Sequence, residues 1–600
     1  MFSRRQQIQN DAIGTAATFD DTLQSASELL ARDPAEALAL ANALIAQRAD
    51  ARAFRLAAAA LRSLDRHDEA EQMELQGIKS GFAQPLKLAR AAQQARRSGE
   101  AKSLAEDYLR TNPDDLLAMT IAGEAAVGLR QFVEAEPILR RVVDRAPAFA
   151  PANLLLANAL FAQLRLREAA DVLEKLLKRV PQELGAKRFL ADISNRMNEP
   201  TAAARFYGDV LASGRGNPSD QLKLAQSLRM AGSRAECVAA LRRSIEMSPP
   251  GGHAWWALAH YFADDLTEDD ERQIMAEIGN PSVQQYDLGL FHLAASILEH
   301  RKGNYEAAFN WIVSSASLIA AKPGYDADGL SRYVDELIAA YTPEVFERFA
   351  SEGSTSDAPI FIVGMPRSGS TLLERILGQH SKIEAIGEIP LIPRLVADSR
   401  PDGIAAYRSL LPDVLTGEKL ADMAEWYLRR TQDYRHTDKA YFTDKYNGNW
   451  IRSGLIRLMF PNAKILDIRR SPLDSCWAVF KSVFIGDYAL DQRDLAKCYV
   501  DYARLMDAMA AGSPSHVLSV SYEDLVADIE GQTRRILEFL DLEFEQACVD
   551  FHLSKATVTT ASSEQVRRPI NREGIGSAEP YRQWLQPLIA ELDSALGGGN

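Results

Sequence analysis

The sequence predicts a multidomain protein with an all-α solenoid first and a P-loop-like α/β domain with a central parallel sheet second. Two observations predict this order. Residues 20–340 are rich in Ala, Leu, Arg and Glu and have helical periodicity, whereas short apolar runs alternate with helical segments after residue 357. The polar segment Gly353 to Ala358 separates the two patterns. The expected parts are a tail (1–20), a solenoid (21–345), a linker (346–357) and an α/β domain (358–600).

The composition limits the class of protein and its setting. A chain of 600 residues exceeds what one hydrophobic core holds. The net charge of −14 argues against a general nucleic-acid-binding surface. Four cysteines without CxxC spacing indicate neither disulfides nor zinc. Because no apolar signal region and no run of 18 apolar residues occur, we expect a cytoplasmic protein without a membrane span.

A repeat of 34 residues runs through the middle of the first region. Prolines recur at this interval, and so do small residues at two further positions: Pro113, Pro147 and Pro181; Gly123, Ala157 and Ala191; Ala135, Ala169 and Ala203. Small residues allow two antiparallel helices to approach closely, and the period of 34 is the tetratricopeptide (TPR) signature. The spacing is looser at Pro218 and Pro249. We expect seven to nine helix pairs with atypical ends.

Solenoids of this kind commonly present a concave face to peptides or partner proteins. A peptide or protein acceptor held by the repeats is therefore an expectation, and it rests on analogy of fold. The pair Trp255–Trp256 and Tyr261 fit either a recognition surface or buried packing. The sequence does not give the oligomeric state.

The stretch Pro359 to Leu377, PIFIVGMPRSGSTLLERIL, predicts a strand, a Gly-rich turn and a helix. Backbone amides and the helix dipole at such a turn form an anion cradle. The spacing from Gly364 to Gly369 is that of a P-loop, but Ser370 stands where a nucleotide triphosphatase has Lys. The cation is Arg367, whose guanidinium binds two oxygens of a phosphate-like group.

This loop resembles the 5′-phosphosulfate loop of sulfotransferases that use 3′-phosphoadenosine 5′-phosphosulfate (PAPS). The resemblance implies that Arg367 and the loop amides of Ser368, Gly369, Ser370 and Thr371 bind the phosphosulfate group. An ordinary strand–turn–helix of an α/β domain is the alternative for the loop taken alone.

The segment IGEIPLIPR, Ile386 to Arg394, resembles the part of protein-tyrosine sulfotransferases that carries the catalytic base. Glu388 occupies the base position, where a carboxylate takes the proton of the acceptor hydroxyl. Ile389 replaces the family's second acidic residue, a departure that bears on acceptor preference.

Lys445 follows a predicted strand in YFTDKYNGN. By resemblance it contacts the bridging oxygen of the leaving phosphate, where negative charge builds up. Small-molecule sulfotransferases have a catalytic His two residues later, and this chain has Asn447. That difference favours the arrangement with a glutamate base.

Pro461 to Lys481 resembles the 3′-phosphate motif of the family, and Arg470 is its candidate ligand. The family has a Ser eight residues after this Arg, but Ala478 stands there. Ser471, Ser475 or a backbone amide are the candidates that replace the missing hydroxyl.

Two later segments complete the resemblance. Tyr522 follows a predicted strand and corresponds to a Tyr near the adenine. ASSEQVRRPIN resembles a late segment of tyrosyl-protein sulfotransferases. Arg568 corresponds to a Lys that closes over the cofactor phosphates, and Ser562 corresponds to a Ser of that segment; both are expected to bind the nucleotide.

The sequence thus predicts a PAPS-dependent sulfotransferase that uses no metal and resembles protein-tyrosine sulfotransferases. Glu388, Lys445 and Arg367 are the expected catalytic residues, and tyrosine in a peptide or protein is the expected acceptor. The alternatives are a saccharide or another small hydroxyl compound as acceptor, a non-catalytic TPR scaffold that binds PAPS or its product, and a P-loop kinase or ATPase.

Overall fold

The computed structural model describes residues 18–80, 83–319, 325–399, 411–483, 486–553, 572 and 574–597. The chain divides into two compact units, Met1–Arg196 and Met197–Asn600. No described helix is both long enough and apolar enough to cross a membrane. All four cysteines are buried, and none forms a disulfide.

The first unit consists of α-helices joined by short turns. In the part that the structure describes they are α1 (Phe19–Leu29), α2 (Pro34–Gln47), α3 (Ala51–Ser63), α4 (His67–Lys79), α5 (Gln84–Gln94), α6 (Ser98–Leu109), α7 (Leu116–Gly128), α8 (Phe132–Arg145), α9 (Ala150–Ala162), α10 (Leu166–Arg179) and α11 (Leu184–Arg196). The first helices of successive pairs begin 34 residues apart, at Leu116, Ala150 and Leu184. At Gly123 a Cβ would lie 2.6 Å from Leu139 Cδ2, so this small residue permits the close approach of α7 and α8.

One backbone feature marks the same repeat more widely than the prolines do. The turn between paired helices holds a residue with a left-handed φ, and this residue recurs every 34 positions: Arg96 (59°), Arg130 (61°), Leu164 (56°), Asn198 (60°) and Gly232 (85°). The period therefore continues through the region in which the proline spacing is looser.

The second unit begins with more helices of the same kind. They are α12 (Pro200–Ala212), α13 (Pro218–Ala231), α14 (Arg234–Met247), α15 (Gly252–Phe262), α16 (Glu268–Ile278), α17 (Gln285–Arg301), α18 (Tyr305–Ile319), α19 (Ala327–Ala340) and α20 (Pro343–Arg348).

The α/β part of the second unit follows. Its strands are β1 (Pro359–Val363), β2 (Ile383–Ala385), β3 (Tyr441–Asp444), β4 (Lys464–Arg469) and β5 (Val517–Ser521). Its described α-helices are α21 (Ser370–Leu377), α22 (Leu391–Ser399), α23 (Gly417–Thr431), α24 (Ser453–Met459), α25 (Pro472–Phe480), α26 (Gln492–Gly512), α27 (Tyr522–Ala527), α28 (Ile529–Phe539), α29 (Gln546–Val549) and α30 (Gln586–Leu596).

The sheet has the strand order β2-β3-β1-β4-β5, and all its pairs are parallel. The central strand β1 is buried along its whole length, as its apolar sequence predicts. Strand order reverses beside β1, so the loop after it lies at a topological switch point, where α/β sheets bind ligands.

The helices of the second unit pack directly on its α/β part. Phe309 of α18 stacks near Trp477 and Phe480, with ring centroids 6.3 and 6.1 Å away. His300 Nδ1 is 2.7 Å from Tyr581 Oη. Burial of such aromatic side chains is a large stabilising contribution.

These observations confirm the predicted fold class, a helical TPR region followed by an α/β domain with a parallel sheet. The boundary expected at residues 346–357 stays a prediction. Within that segment Gly353 has φ of 70°, and Ser354 N donates to Met459 O at 2.9 Å. The segment therefore packs on the end of α24.

Candidate active site

The loop between β1 and α21 forms the centre of the candidate site. Arg367 and Gly369 have φ angles of 67° and 101°. A Cβ on Gly369 would lie 2.4 Å from Tyr522 Cδ2, so only glycine lets the Tyr522 ring pack against the loop. The structure thus brings together Tyr522, which directly follows β5, and the loop after β1.

The hydroxyl groups of the loop have different partners. Ser370 Oγ donates to Asn447 Oδ1 at 2.9 Å, and Asn447 Nδ2 donates to Met365 O at 2.9 Å. Asn447, at the position of the small-molecule enzymes' His, therefore braces the loop. Ser368 Oγ is buried and has no partner among the described residues. A bound oxyanion would satisfy this hydroxyl.

Glu388 and Lys445 form an ion pair between Oε1 and Nζ. Lys445 directly follows β3 and is completely buried, whereas the Glu388 side chain is 52% exposed. Lys445 N also donates to Gly387 O at 3.1 Å. A buried ammonium and an accessible carboxylate thus lie together, as leaving-group stabilisation and proton transfer require.

Glu374 of α21 holds this pair in place. Its Oε1 accepts hydrogen bonds from Gly387 N and from Thr443 Oγ1, each at 3.0 Å. Burial raises the pKa of Glu374, while the charge of Lys445 lowers it. The sequence context of Glu374 gives no sign of this role, because a Glu in an amphipathic helix normally faces solvent; every residue of α21 is in fact buried.

Arg470 lies at the end of β4 and connects several parts of the site. Its guanidinium donates to Arg367 O at 3.3 Å and to Ser577 Oγ at 2.9 Å, and it also contacts Gly574 O. Its Cζ is 5.6 Å from the Tyr522 ring centroid. Arg470 Nε is buried without a partner among the described residues, so it has a hydrogen bond left to donate.

Asp474, in the first turn of α25, fixes the chain that covers Arg470. Its carboxylate accepts from Gly576 N at 2.8 Å, from Ala578 N at 2.9 Å and from Ser577 Oγ at 3.1 Å. No separate signal in the sequence pointed to this role.

The proposed replacements for the missing serine differ in their hydrogen bonds. Ala478 is buried on α25. Ser471 N already donates to Glu523 Oε1 at 2.8 Å, whereas Ser475 Oγ is buried without a described partner. The hydroxyls of Ser471 and Ser475 therefore both remain candidates. Ser562 and Arg568 lie outside the described residues.

One helix of the TPR region faces the loop. On α15, Trp256 stacks on His260 with centroids 5.2 Å apart, and Arg229 Cζ is 4.2 Å from the Tyr261 ring centroid. Desolvation and then the charges of Arg367, Lys481 and Arg229 lower the pKa of His260 to about 3. Its imidazole is therefore neutral and lies within electrostatic reach of the loop cation.

Two further buried carboxylates accompany the strands. Asp467 of β4 accepts from Tyr502 Oη at 2.5 Å and from Arg469 Nε at 2.6 Å. Asp444 of β3 accepts from Tyr427 Oη at 2.8 Å, and burial raises its pKa to about 8. Asp467 is thus engaged in the protein interior, whereas Asp444 Oδ1 is buried without a partner among the described residues.

Comparison with known proteins identifies the two kinds of domain. The family model described as "Sulfotransferase family" matches residues 359–546, and tetratricopeptide-repeat models match 86–150 and 126–193. The α/β domain is a sulfotransferase domain. The TPR models match helices of the first unit, in agreement with the repeat in the sequence.

The sulfotransferase domain is distantly related to protein-tyrosine sulfotransferases. Protein-tyrosine sulfotransferase A of Caenorhabditis elegans is 26% identical over 266 residues, which are 41% of this chain and 67% of that protein. An uncharacterized protein of Aquifex aeolicus is 27% identical over 449 residues, which are 72% of this chain. The chain spans only about half (53%) of that relative's length.

Solved structures give weaker likenesses. The sulfotransferase domain of the Synechococcus PCC 7002 olefin synthase has 19% identity and a TM-score of 0.26, covering 38% of this chain and 96% of that one. A thermophilic TPR protein of Thermus thermophilus has 21% identity and a TM-score of 0.24, covering 28% of this chain and 91% of that one.

Proposed function

We propose that this protein transfers the sulfuryl group of PAPS to an acceptor hydroxyl, with Glu388 as the base and Lys445 at the leaving group. The observation that carries the proposal is the ion pair between Glu388 and the fully buried Lys445, which Glu374 ties to the helix of the phosphosulfate loop. The family of the domain implies the donor.

Each residue of the site has its own role in the proposed reaction. PAPS supplies an activated sulfuryl group with a nucleotide 5′-phosphate as leaving group. The acceptor oxygen forms a bond to sulfur as the bond from sulfur to the bridging oxygen breaks, and Glu388 takes the acceptor proton. Lys445 stabilises the negative charge that the departing phosphate gains. Arg367 and the loop from Ser368 to Thr371 hold the phosphosulfate group.

The chain offers suitable groups for the rest of the nucleotide. Buried polar atoms without described partners, Ser368 Oγ, Ser475 Oγ and Arg470 Nε, fit the oxygens of phosphate groups. Tyr522 presents a ring between the loop and Arg470. Ser562 and Arg568 are proposed, from the resemblance, to hold part of the nucleotide, with Arg568 closing over its phosphates.

We propose tyrosine in a peptide or protein as the acceptor. The relation to protein-tyrosine sulfotransferases supports this choice, as does the aromatic group of Trp256, His260 and Tyr261 on α15, close to Arg367. Aromatic side chains provide flat surfaces on which a phenol ring packs. A saccharide or another small hydroxyl compound is the second candidate, since a glutamate base serves either.

Other classes of protein fit the site less well. A kinase or ATPase needs an accessible carboxylate for Mg²⁺, but Asp467 is held by Tyr502 and Arg469. A scaffold that only senses the nucleotide does not need the Glu388–Lys445 pair.

The first test is calorimetric binding of 3′,5′-adenosine bisphosphate, 5′-AMP and ATP without Mg²⁺. We expect a strong preference for the bisphosphate, and preference for ATP would overturn the proposed donor. Transfer from labelled PAPS to tyrosine peptides and to saccharides then distinguishes the acceptors. Absence of transfer to either, with the bisphosphate still bound, would favour the sensing scaffold.

A further inference from the structure

Lys481 follows the last residue of α25 and has no assigned role. Its amide donates to Trp477 O at 3.1 Å, so it continues the helical turn of α25. The residue as a whole is exposed, although protein groups surround its ammonium closely enough to desolvate it. Asp474, Ala478 and Lys481 are spaced i, i+4 and i+7 and therefore share one face of that helix. On this face Asp474 accepts hydrogen bonds from Gly576 N and Ala578 N, which belong to the segment that covers Arg470.

The side chain of Lys481 runs back along the helix toward Arg470. Its Nζ lies 5.9 Å from the Trp477 ring centroid, one turn earlier. This direction is usual for long helical side chains, which lean toward the N-terminus. Arg470 stands just before that N-terminus, so the ammonium approaches the region where the sequence resemblance places the 3′-phosphate.

The charges around Lys481 leave an excess of positive charge. Within the described part of the chain its Nζ forms no hydrogen bond and no ion pair. Arg367 and Arg470 are the cations that act on it most strongly, and Asp474 is the nearby carboxylate. Both Asp474 oxygens are already engaged by residues 576–578. Three cations thus lie near one carboxylate, which also lies 3.9 Å from Arg470 Nη2, and such a cluster is suited to an anionic ligand.

We propose that Lys481 binds the 3′-phosphate of the donor in place of the serine hydroxyl that Ala478 lacks. This inference rests on the proposed donor. The Lys481 ammonium reaches from the next turn of the same helix. A charged donor thereby takes the place of the neutral serine hydroxyl. The pocket would then discriminate the 3′-phosphate by charge.

The test compares two nucleotides and two variants. Lys481→Met removes the charge and keeps an apolar stem against Trp477. We expect it to weaken binding of 3′,5′-adenosine bisphosphate about tenfold or more, the effect of one charge-assisted hydrogen bond. Binding of 5′-AMP should stay within about threefold. Lys382→Met, at an exposed lysine before β2, is the matched control and should change neither.

A rescue makes the assignment specific. Ala478→Ser restores the family's hydroxyl, and in the Lys481→Met background it should recover much of the lost preference for the bisphosphate. Equal weakening of both nucleotides, or no weakening of either, would overturn the role of Lys481. If the unaltered protein fails to prefer the bisphosphate over AMP or ATP, the proposed function itself fails, and that outcome is distinct.

The pH dependence provides a second readout. Desolvation and the charges of Arg367 and Arg470 lower the pKa of Lys481 to about 8, whereas Asp474 raises it. From the TPR helices, His260 and His300 face the same ammonium and are neutral at this pH. Affinity for the bisphosphate should therefore fall as pH rises through about 8, since only the protonated amine binds. In Lys481→Met this decline should disappear; a decline that persists in the variant would contradict the proposal.

Discussion

The side-chain amide of Asn198 donates a hydrogen bond to the carbonyl of Ile386, two residues before Glu388. Asn198 is one of the left-handed turn residues of the TPR repeat. On the preceding residue, Met197 O is 3.0 Å from His436 Nε2. A turn of the repeat therefore supports the segment that carries the proposed base.

Replacing Asn198 should reduce turnover without affecting the nucleotide site. Asn198→Gly keeps the left-handed turn and removes the amide, and a small displacement of Glu388 should lower kcat about tenfold. Asn198→Asp, which also lacks the N–H donor, should act in the same direction. Affinity for 3′,5′-adenosine bisphosphate should be unchanged by calorimetry. Full activity of the glycine variant would show that Asn198 does not position the base.

Removing the proposed base should separate catalysis from binding. Glu388→Gln should lower kcat by about 100-fold or more while bisphosphate affinity stays within about threefold. Glu418→Gln, at an exposed position of α23, is the control and should keep full activity. A Glu388→Gln variant with normal sulfuryl transfer would exclude this carboxylate as the base.

The two members of the ion pair should differ in their effect on stability. Glu388→Gln leaves a buried ammonium without its carboxylate and should lower the free energy of unfolding by about 1–3 kcal/mol. Lys445→Met leaves only a half-exposed carboxylate and should cost less, although it also removes the group that we propose stabilises the leaving phosphate. Urea unfolding of both variants checks this order, and a larger cost for Lys445→Met would contradict it.

The repeat contains a site where glycine should stabilise the fold. Arg130 is exposed and has a left-handed φ of 61°, a conformation that costs a residue with a Cβ roughly 1–2 kcal/mol. Arg130→Gly should therefore raise the free energy of unfolding by up to about 1 kcal/mol. Arg110, also exposed but with a helical φ of −59°, is the control, and Arg110→Gly should be destabilising. Urea unfolding of the two variants should give shifts of opposite sign.

Asp444 should make stability decrease with rising pH. Its folded pKa of about 8 lies above the ordinary 3.8, so the protonated carboxyl stabilises the fold at low pH. This contribution should be lost as pH rises from about 4 to about 8, at up to about 1.4 kcal/mol per pH unit. Asp444→Asn cannot ionise and should lack this slope. Urea unfolding of both proteins between pH 5 and 8, at steps of about one unit, gives the free energy of unfolding as a function of pH. Equal slopes for the two proteins would contradict the raised pKa of Asp444.

Much of the fold was predictable because it depends on local patterns. The proline period of 34 predicted helices that begin 34 residues apart, as Ala150 and Leu184 do. The apolar run Ile360 to Val363 predicted a buried strand, and Lys445 was expected just after a strand. Such features follow from periodicity and turn residues that any single sequence displays.

The parts that sequence did not predict depend on contacts between distant residues. Glu374 has the sequence context of a surface helix, and only the burial of α21 on every side reveals its bonds to Gly387 and Thr443. Leu164 and Arg130 adopt left-handed turns that their residue types disfavour, so the wider repeat was hidden. The sequence shows that Asn447 stands where small-molecule sulfotransferases have His. Its hydrogen bonds with Ser370 and Met365 are visible only in the structure.

The packing of α18 on the α/β domain has a practical consequence for dividing the chain. A fragment that starts at residue 358 would lose Phe309 and leave the apolar faces of Trp477 and Phe480 in water. It would also lose Asn198, which binds the carbonyl of Ile386 in the segment that carries Glu388. A fragment that starts at Met197 retains both Asn198 and Phe309, so it is the better starting point for crystallising the α/β part.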